Sequence, residues 1–368
     1  MQERIRVGLI GASPDPALSW GTRAHIPALR HLPDYELTAI CTSRQETADA
    51  TARHFDVPLA FGDARQMADH PDVDLVVVSV RSALHKELVA AALSAGKDVY
   101  CEWPLGVTTA EAHETLAASQ KAGVRSIIGL QSSGNEVLSY VKELVATGFV
   151  GRVLSASLQV YQEFQGPLLP LLYQYTADDR NGAGIFRIHG AHALEALTTC
   201  LGEFHEVAAL IANQHDKARI IETGELIEKT AADEVMLHGR LKSGAVVALH
   251  LIGGAPRIAG IRFEIHGDEG DLLMTSSGPA SIQRAALRLE GGRGGTMDLM
   301  PLPEKFRLQP AGLSEGSALA VAHIYQRYAA AVRAGAPWPV DFAYGVSRHE
   351  LLDVIQTASD CGKRQLAI

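Results

Sequence analysis

The sequence predicts an α/β protein in which a doubly wound parallel sheet is followed by a second α/β domain built on a large, mostly antiparallel open sheet. Three observations carry that expectation. Residues 5–130 alternate short apolar runs with segments of helical spacing, the pattern of a parallel sheet covered on both faces. After about residue 150 the runs lengthen, alternate and are broken by short turns, as in antiparallel hairpins. The total of 368 residues exceeds what one core usually serves. The expected division is a nucleotide-binding domain over 1–131 and a substrate-binding and oligomerisation domain over 132–368, with the C-terminal helices free to pack back on the first.

In chain order, "IRVGLIGA" reads as a buried strand and "TRAHIPALRHL" as a helix that can turn Ala24, Ala28, Leu29 and Leu32 to one face. "YELTAICTS" and "RQETADATARHF" repeat the pair. "VDLVVVSV" is a continuous β-branched run, as a strand covered on both sides requires. "HKELVAAALSAG" is a helix stopped by Gly96, "KDVYCEWPL" a strand ended by Pro104, and "TTAEAHETLAASQKAG" a helix opened by a Thr cap and closed at Gly123. "VRSIIGLQ" completes the parallel series. Beyond it, "RVLSASLQVYQEF" is a long alternating strand. "ADEVMLHGRLKSGAVVALHLIGG" is a hairpin across Lys242, Ser243 and Gly244, and "IRFEIHGDEGDLLMTS" a second one turning at Gly267–Gly270. Helices are expected over roughly 189–201, 317–334 and 342–362, and loops over the Gly-, Arg- and Ser-rich stretch 275–300.

Composition narrows the function. The chain is 47% hydrophobic and 20% charged with a net charge of −9, and no block of Lys or Arg marks a nucleic-acid surface. No run approaches the roughly 18 apolar residues of a membrane span. The N-terminal "MQERIRVGLIGAS" lacks the apolar core and cleavage site of a secretory signal. Four widely separated cysteines form no C-x-x-C and read as free thiols in a reducing cytoplasm. Fifteen histidines invite a metal, but none is spaced as H-x-x-x-H beside a carboxylate, and no metal is expected.

The stretch "VGLIGASPDPALSWGTRAH" (7–25) is a stretched relative of G-x-G-x-x-G. Gly11 is in place, Ser13 stands where a second glycine is expected, and Gly21 comes about five residues late. A glycine-rich turn into a helix N-terminus lets backbone amides approach a pyrophosphate. Such use requires "PDPALS" to loop outward, with Ser13 offering its hydroxyl to phosphate; an ordinary strand-to-helix turn is the alternative. At the end of the second strand an Asp or Glu would bind the adenosine ribose of NAD. Here "CTSRQE" gives Thr42, Ser43 and Arg44, and hydroxyls followed by Arg suit a 2′-phosphate. The lean is toward NADP over NAD, with a solvated helix start as the alternative.

"HKELVAAALSAGKDVYCEWPLG" resembles the Gfo/Idh/MocA oxidoreductase family, whose pattern it meets at His85, Ala92, Gly96, Lys97, Val99, Glu102 and Pro104. The resemblance extends over essentially the whole chain and includes "GAGIFRIHGAHALEAL", similar to the family's glycine-led helix with an acid–base histidine. A finer likeness is to a subgroup resembling the fungal galactose-regulon repressor and its bacterial relatives. It rests on Trp20, Gly21, His25, Pro27 and Ala28, on Glu102-Trp103, and on Leu130-Gln131. The resemblance implies an N-terminal Rossmann domain, NAD or NADP as cofactor, a sugar-like or polyol substrate, and a homodimer or homotetramer. It also implies a stretched first loop that still binds dinucleotide, with Trp20, His85, Glu102, Trp103 and Gln131 joining Gly11, Ser13, Gly21, Ser43 and Arg44 around it; a helix cap is the alternative for His85 and a buried hydrogen-bonding carboxylate for Glu102.

Two departures from the family stand out. Trp103 replaces a lysine that polarises the reacting hydroxyl, and Ile188 replaces an aspartate four residues before the histidine. His192 remains as acid–base. Within "FRIHGAH", Arg187 and His189 are candidate substitutes, and on a helix His189 would share a face with His192. Tyr175, Asp179 and Arg180 lie on a preceding loop suited to sugar hydroxyls, and Trp103 could stack on a sugar or on the nicotinamide, or fill the strand end. Three activities fit: hydride transfer at a carbinol carbon, redox-neutral glycoside cleavage through transient oxidation, and non-catalytic sensing of a dinucleotide or sugar.

Overall fold

A computed structural model describes residues 4–277, 281–307, 313 and 316–367. The chain divides into two compact units, one formed by Met1–Leu130 with Gln309–His349, the other by Gln131–Leu308 with Glu350–Ile368.

The first unit holds six parallel strands, β1 (Ile5–Ile10), β2 (Tyr35–Cys41), β3 (Leu59–Phe61), β4 (Leu75–Val78), β5 (Asp98–Glu102) and β6 (Ser126–Gly129). Their order is β3-β2-β1-β4-β5-β6, a doubly wound Rossmann sheet. The apolar run of β4 explains its central place, because all four of its residues are buried. Helices α1 (Ile26–His31), α2 (Gln45–His54), α3 (Ala64–Asp69), α4 (His85–Ser94) and α5 (Thr109–Ala122) cross between the strands. Thr108 caps α5 by accepting from the Glu111 amide, and Gly123 ends it in the left-handed region. The short pair β3 and α3 has no counterpart in the sequence reading. The first helix differs too: Gly21–His25 is a π-turn that leads into α1, where the spacing predicts one continuous helix.

The stretched loop is a built structure. Pro14–Leu18 is exposed, with Asp15 capping a single turn at Pro16–Leu18. The Ser19 hydroxyl donates to the Gly11 carbonyl at 2.7 Å and accepts from the Thr22 amide at 3.1 Å. The Thr22 hydroxyl donates to the Ser13 carbonyl at 2.6 Å and accepts from the Ser13 amide at 3.0 Å. The excursion is thus tied back at its base, and Gly21 lies close against Gly11.

The second unit is organised by a nine-stranded sheet. Its strands are β7 (Val153–Tyr161), β9 (Phe204–Ala212), β12 (Glu234–Leu241), β13 (Val246–Ile252), β14 (Gly260–Gly267), β15 (Asp271–Ser277), β16 (Arg288–Gly292), β17 (Asp298–Leu299) and β18 (Gln365–Leu366). The order is β17-β16-β15-β14-β7-β13-β12-β9-β18, and every pairing is antiparallel except β7 with β13. The two hairpins of the sequence reading are β12–β13 and β14–β15. A correction concerns 275–300: the stretch expected as loop carries β16 and β17, and its residues 278–280 lie outside the described residues. A further sheet of three short strands, β8 (Leu168–Leu169), β10 (Lys217–Ile220) and β11 (Leu226–Glu228), closes over Leu169, Ala177, Ala218 and Ile220. Helices α6 (Glu136–Ala146) and α7 (Ala191–Leu201) pack on one another within this unit.

Helix α8 (Ser317–Ala334) belongs to the first unit, while α9 (Phe342–Cys361) begins there and continues into the second. Val321, Ile324, Tyr325 and Tyr328 of α8 join the core of Val7, Leu9, Leu29, Tyr35 and Tyr100. Among the described residues no helix is long and apolar enough to cross a membrane.

Gly11 has φ +98°, and a Cβ there would stand 2.2 Å from the Ser79 carbonyl oxygen. Gly11→Ala is therefore expected to destabilise the protein by at least about 2 kcal/mol, from strained φ and overlap together. The midpoint of urea unfolding measures this, and an unchanged midpoint would contradict it.

Candidate functional site

Ligands of doubly wound sheets bind outside the carboxyl ends of the strands, near where the strand order reverses. At that edge Gly11 follows β1, Ser79 follows β4 and Glu102 ends β5. Two polar atoms there are buried and lack a hydrogen-bond partner among the described residues, the Ser79 hydroxyl and the Trp20 indole Nε1. A donor set left unmet beside a glycine too crowded for a side chain fits a dinucleotide. The Ser13 hydroxyl accepts from the Asp15 amide at 3.2 Å. At the start of α2, Ser43 and Arg44 are exposed, and the Thr42 and Thr47 hydroxyls both donate to the Arg44 carbonyl at 2.9 Å. That places an accessible guanidinium at the end of β2, where an adenosine ribose would lie.

Two of the expected dinucleotide residues, His85 and Trp103, have other occupations. Both ring nitrogens of His85 face carbonyls, Nδ1 that of Pro104 at 2.7 Å and Nε2 that of Val80 at 3.0 Å. Its ring is buried, and burial lowers its pKa, so the neutral ring donates to one of these carbonyls and lies against the other, between two loops. Trp103 is also buried, with the His349 ring 4.6 Å from its own, so its indole fills the strand end and is not a platform open to a sugar. Gln131 is buried in the short turn Gln131–Gly134. Glu102 accepts from His25 Nε2 at 2.8 Å.

In the second unit the glycine-led segment builds a distinct histidine site. Gly184 at φ +101° turns the chain into a π-turn, Ile185–Gly190, which leads into α7. His189 therefore lies in the π-turn and His192 in the first turn of the helix, where the sequence reading placed both on one helix. His192 is 4% exposed, and its carbonyl accepts from the Ser132 hydroxyl at 2.9 Å. Its Nδ1 has no hydrogen-bond partner among the described residues. His189 Nδ1 accepts from the Gln162 amide at 3.3 Å, which assigns its proton to Nε2.

Electrostatics keeps both rings neutral. Burial brings the His192 pKa down to about 3, with the neighbouring His189 and Arg284 acting in the same direction. His189 retains some accessible surface, yet loss of hydration dominates there too and, with Arg284, brings it to about 3. Arg284 is a cation that the sequence reading missed, because nothing in the irregular stretch around it sets it apart. Glu195, three residues beyond His192, is fully buried in α7. Its signal was available as a charge on the apolar face of "HALEAL".

The remaining candidates are more peripheral. Arg187 pairs with Asp353 at 3.3 Å through one of its five donors. Arg180 is 90% exposed and pairs with Asp178 at 2.7 Å. The exposed Asp179 donates its amide to the Thr230 hydroxyl at 3.0 Å, and Tyr175 is half-buried with its carbonyl accepting from Asn181 at 2.7 Å. Among the described residues no group of three or more His, Cys, Asp or Glu side chains could hold a metal ion.

Comparison with known proteins follows the same division. Residues 5–130 match the family described as "Oxidoreductase family, NAD-binding Rossmann fold", and residues 137–276 match the Gal80p C-terminal domain. A protein named dehydrogenase aclE from Aspergillus oryzae is 32% identical over 302 residues, 77% of this chain and 80% of its own. The galactose/lactose metabolism regulatory protein GAL80 of Saccharomyces cerevisiae is 26% identical, across 78% of this chain and 71% of its own. A crystal structure of a super-repressor mutant of Gal80p from that yeast shares the fold with a TM-score of 0.87 at 21% identity, covering 99% of this chain and 98% of that one. Levoglucosan dehydrogenase of Pseudarthrobacter phenanthrenivorans is 26% identical over 74% of this chain and 73% of its own. A levoglucosan dehydrogenase structure in complex with NADH and L-sorbose has a TM-score of 0.85 at 23% identity, with all of both chains covered.

The lowered histidine pKa values make a pH prediction. The unfolded chain takes up protons at these positions near pH 6.5, the folded chain only near 3. Stability is therefore full above about pH 6.5 and falls as pH drops toward 3, by up to about 1.4 kcal/mol per pH unit per histidine. Urea unfolding at stepped pH is expected to give His192→Asn a shallower slope than the wild type. An identical slope in the two proteins would refute the assignment.

Proposed function

The chain belongs to the Gfo/Idh/MocA oxidoreductase family, and on that premise we propose that it is an NAD(P)-dependent enzyme acting on a sugar-like or polyol hydroxyl, with His192 as the acid–base. The observation that carries the reading is the state of His192: buried, neutral, and with Nδ1 unmet by any described group. A neutral imidazole can accept the proton of a carbinol hydroxyl as the carbon gives up hydride, its basicity rising once negative charge develops on the nearby oxygen. The dinucleotide, when bound, supplies the hydride acceptor at its nicotinamide. Gly11, Ser13, Trp20, Gly21, Ser79 and Glu102 would hold it, with Ser43 and Arg44 at its adenosine end.

The chain's own residues divide the proton work. His192 Nδ1 takes the hydroxyl proton. His189, held by Gln162, keeps its own proton on Nε2 and offers it as a donor to the substrate. Arg284 supplies a positive field that stabilises the developing alkoxide, a task Trp103 cannot perform. Tyr175, Asp179, Arg180 and Arg187 remain candidates for substrate hydroxyls. The sugar dehydrogenases among the relatives support this substrate class. We further propose a homodimer or homotetramer formed through the open face of the large sheet, where Leu210 and Met236 are paired in register and exposed.

A second reading, non-catalytic sensing of a dinucleotide or sugar, is favoured by one specific observation. Trp103 and Ile188 stand where the family resemblance puts a lysine and an aspartate, and GAL80 is among the relatives. A panel of sugars and polyols, read both by nicotinamide absorbance and by product analysis, separates the readings. Net dehydrogenation gives both signals, redox-neutral glycoside cleavage gives product alone, and sensing gives neither.

Two outcomes are expected. His192→Asn should lower kcat by about 10²- to 10⁴-fold while dinucleotide affinity stays within about threefold of the wild type. Turnover that survives the substitution would remove His192 from the chemistry. Arg44→Ala should weaken NADP about tenfold or more and leave NAD nearly untouched; equal losses for both would return the preference to NAD.

A further inference from the structure

A connected set of buried polar groups in the first unit involves two residues not yet assigned a task. His25, the last residue of the π-turn that closes the opening loop, is fully buried. Its Nδ1 lies 2.8 Å from the Tyr325 hydroxyl and its Nε2 lies 2.8 Å from Glu102 Oε1. Burial pushes the Tyr325 phenol far above the ordinary range, so the hydroxyl keeps its one proton. A carboxylate only accepts, so the His25 tautomer that serves Glu102 carries a proton on Nε2, and the Tyr325 hydroxyl can donate to Nδ1. In that tautomer the donor order runs from Tyr325 through His25 to Glu102.

Both ends of this chain are fixed. The Tyr325 carbonyl accepts from the Tyr35 hydroxyl at 2.7 Å, and its ring packs against Tyr35, Tyr100 and His25. Glu102 is the last residue of β5, and its other oxygen lies where Gly129 has no side chain. A Cβ on Gly129 would stand 2.6 Å from Glu102 Oε2. The carboxylate is thus oriented at the strand edge that doubly wound sheets use for ligands. His25, at the end of the π-turn that closes the loop carrying Gly11 and Gly21, joins that loop to Glu102.

From this geometry we infer that His25 and Tyr325 are positioning residues for the dinucleotide: they hold Glu102 in one orientation toward the amide or hydroxyl donors of that ligand and couple the seating of the Gly11–Gly21 loop to it. The inference rests on the dinucleotide reading above. It predicts that His25 acts on the ligand through Glu102, which a role confined to folding does not require.

A double-mutant cycle on the full-length protein tests this, with calorimetric Kd for the dinucleotide that the wild type binds best and Tm recorded alongside. Glu102→Ala and His25→Ala should each weaken binding about tenfold or more, and the double variant should be no weaker than Glu102→Ala within about twofold. His25→Gln, whose side-chain amide can donate to Glu102, should stay within about threefold of the wild type. Tyr325→Phe keeps the ring, and its loss of affinity should vanish in the Glu102→Ala background. That second cycle decides the matter should His25→Ala fail to fold. Losses that multiply in both backgrounds, or a lowered Tm with unchanged Kd, would overturn the inference and leave the dinucleotide reading intact. A wild type that binds no dinucleotide would overturn both.

Discussion

The first unit depends on how closely Gly11 is wedged between its neighbours. Its amide donates to the Cys41 carbonyl at 3.1 Å, while the Ser79 carbonyl occupies the place a side chain would need. β1 is thereby held between β2 and β4 up to its last residue, and the chain can leave the sheet only as a left-handed turn. The stretched loop is consistent with this constraint. The Ser19 and Thr22 hydroxyls return the chain to Gly11 and Ser13, so that Gly21 can still open a helix beside the strand ends. The residues between are exposed and do not intrude on that edge. An insertion inside a nucleotide-binding turn is thus compatible with the turn's geometry.

In the second unit the governing effect is desolvation. His189 and His192 lose their hydration in the fold and face the positive charge of Arg284, so neither holds a proton at neutral pH. A neutral, buried imidazole is a base awaiting a donor. A cation beside it lowers its basicity in the resting protein, but becomes favourable once a negative oxygen develops nearby. The same arrangement that costs stability at acidic pH therefore suits proton removal coupled to hydride loss.

Much of the fold was legible in the sequence because its main elements bury faces with clear periods. The four-residue run of β4 is buried throughout, and the hairpins β12–β13 and β14–β15 alternate cleanly along their length. What escaped lacked a local signal. β8, β10 and β11 are two to four residues long; β8 pairs with β10 across a wide gap, as Leu168 does with Arg219, and β10 and β11 form a short hairpin. β9 is rich in alanine and reads as readily as helix. In the site, glycine-led "GAGIFRIHGAH" announces His189 and His192, while the π-turn that holds His189 apart from the helix of His192 has no local signal. Sequence could not tell that both nitrogens of His85 face carbonyls, or that Trp103 is covered by His349. Nor could it bring Arg284 to the histidines from a region without periodicity.

The central claim is that the tied-back loop from Gly11 to Gly21 holds a dinucleotide. Calorimetric titration of the purified protein with NAD, NADH, NADP and NADPH, preceded by a check for cofactor carried through purification, tests it most directly. One-to-one binding of at least one of the four, with a Kd of about 100 μM or tighter, is the expected result. Absence of binding by all four at millimolar concentration, from protein shown to be folded and free of cofactor, would contradict it.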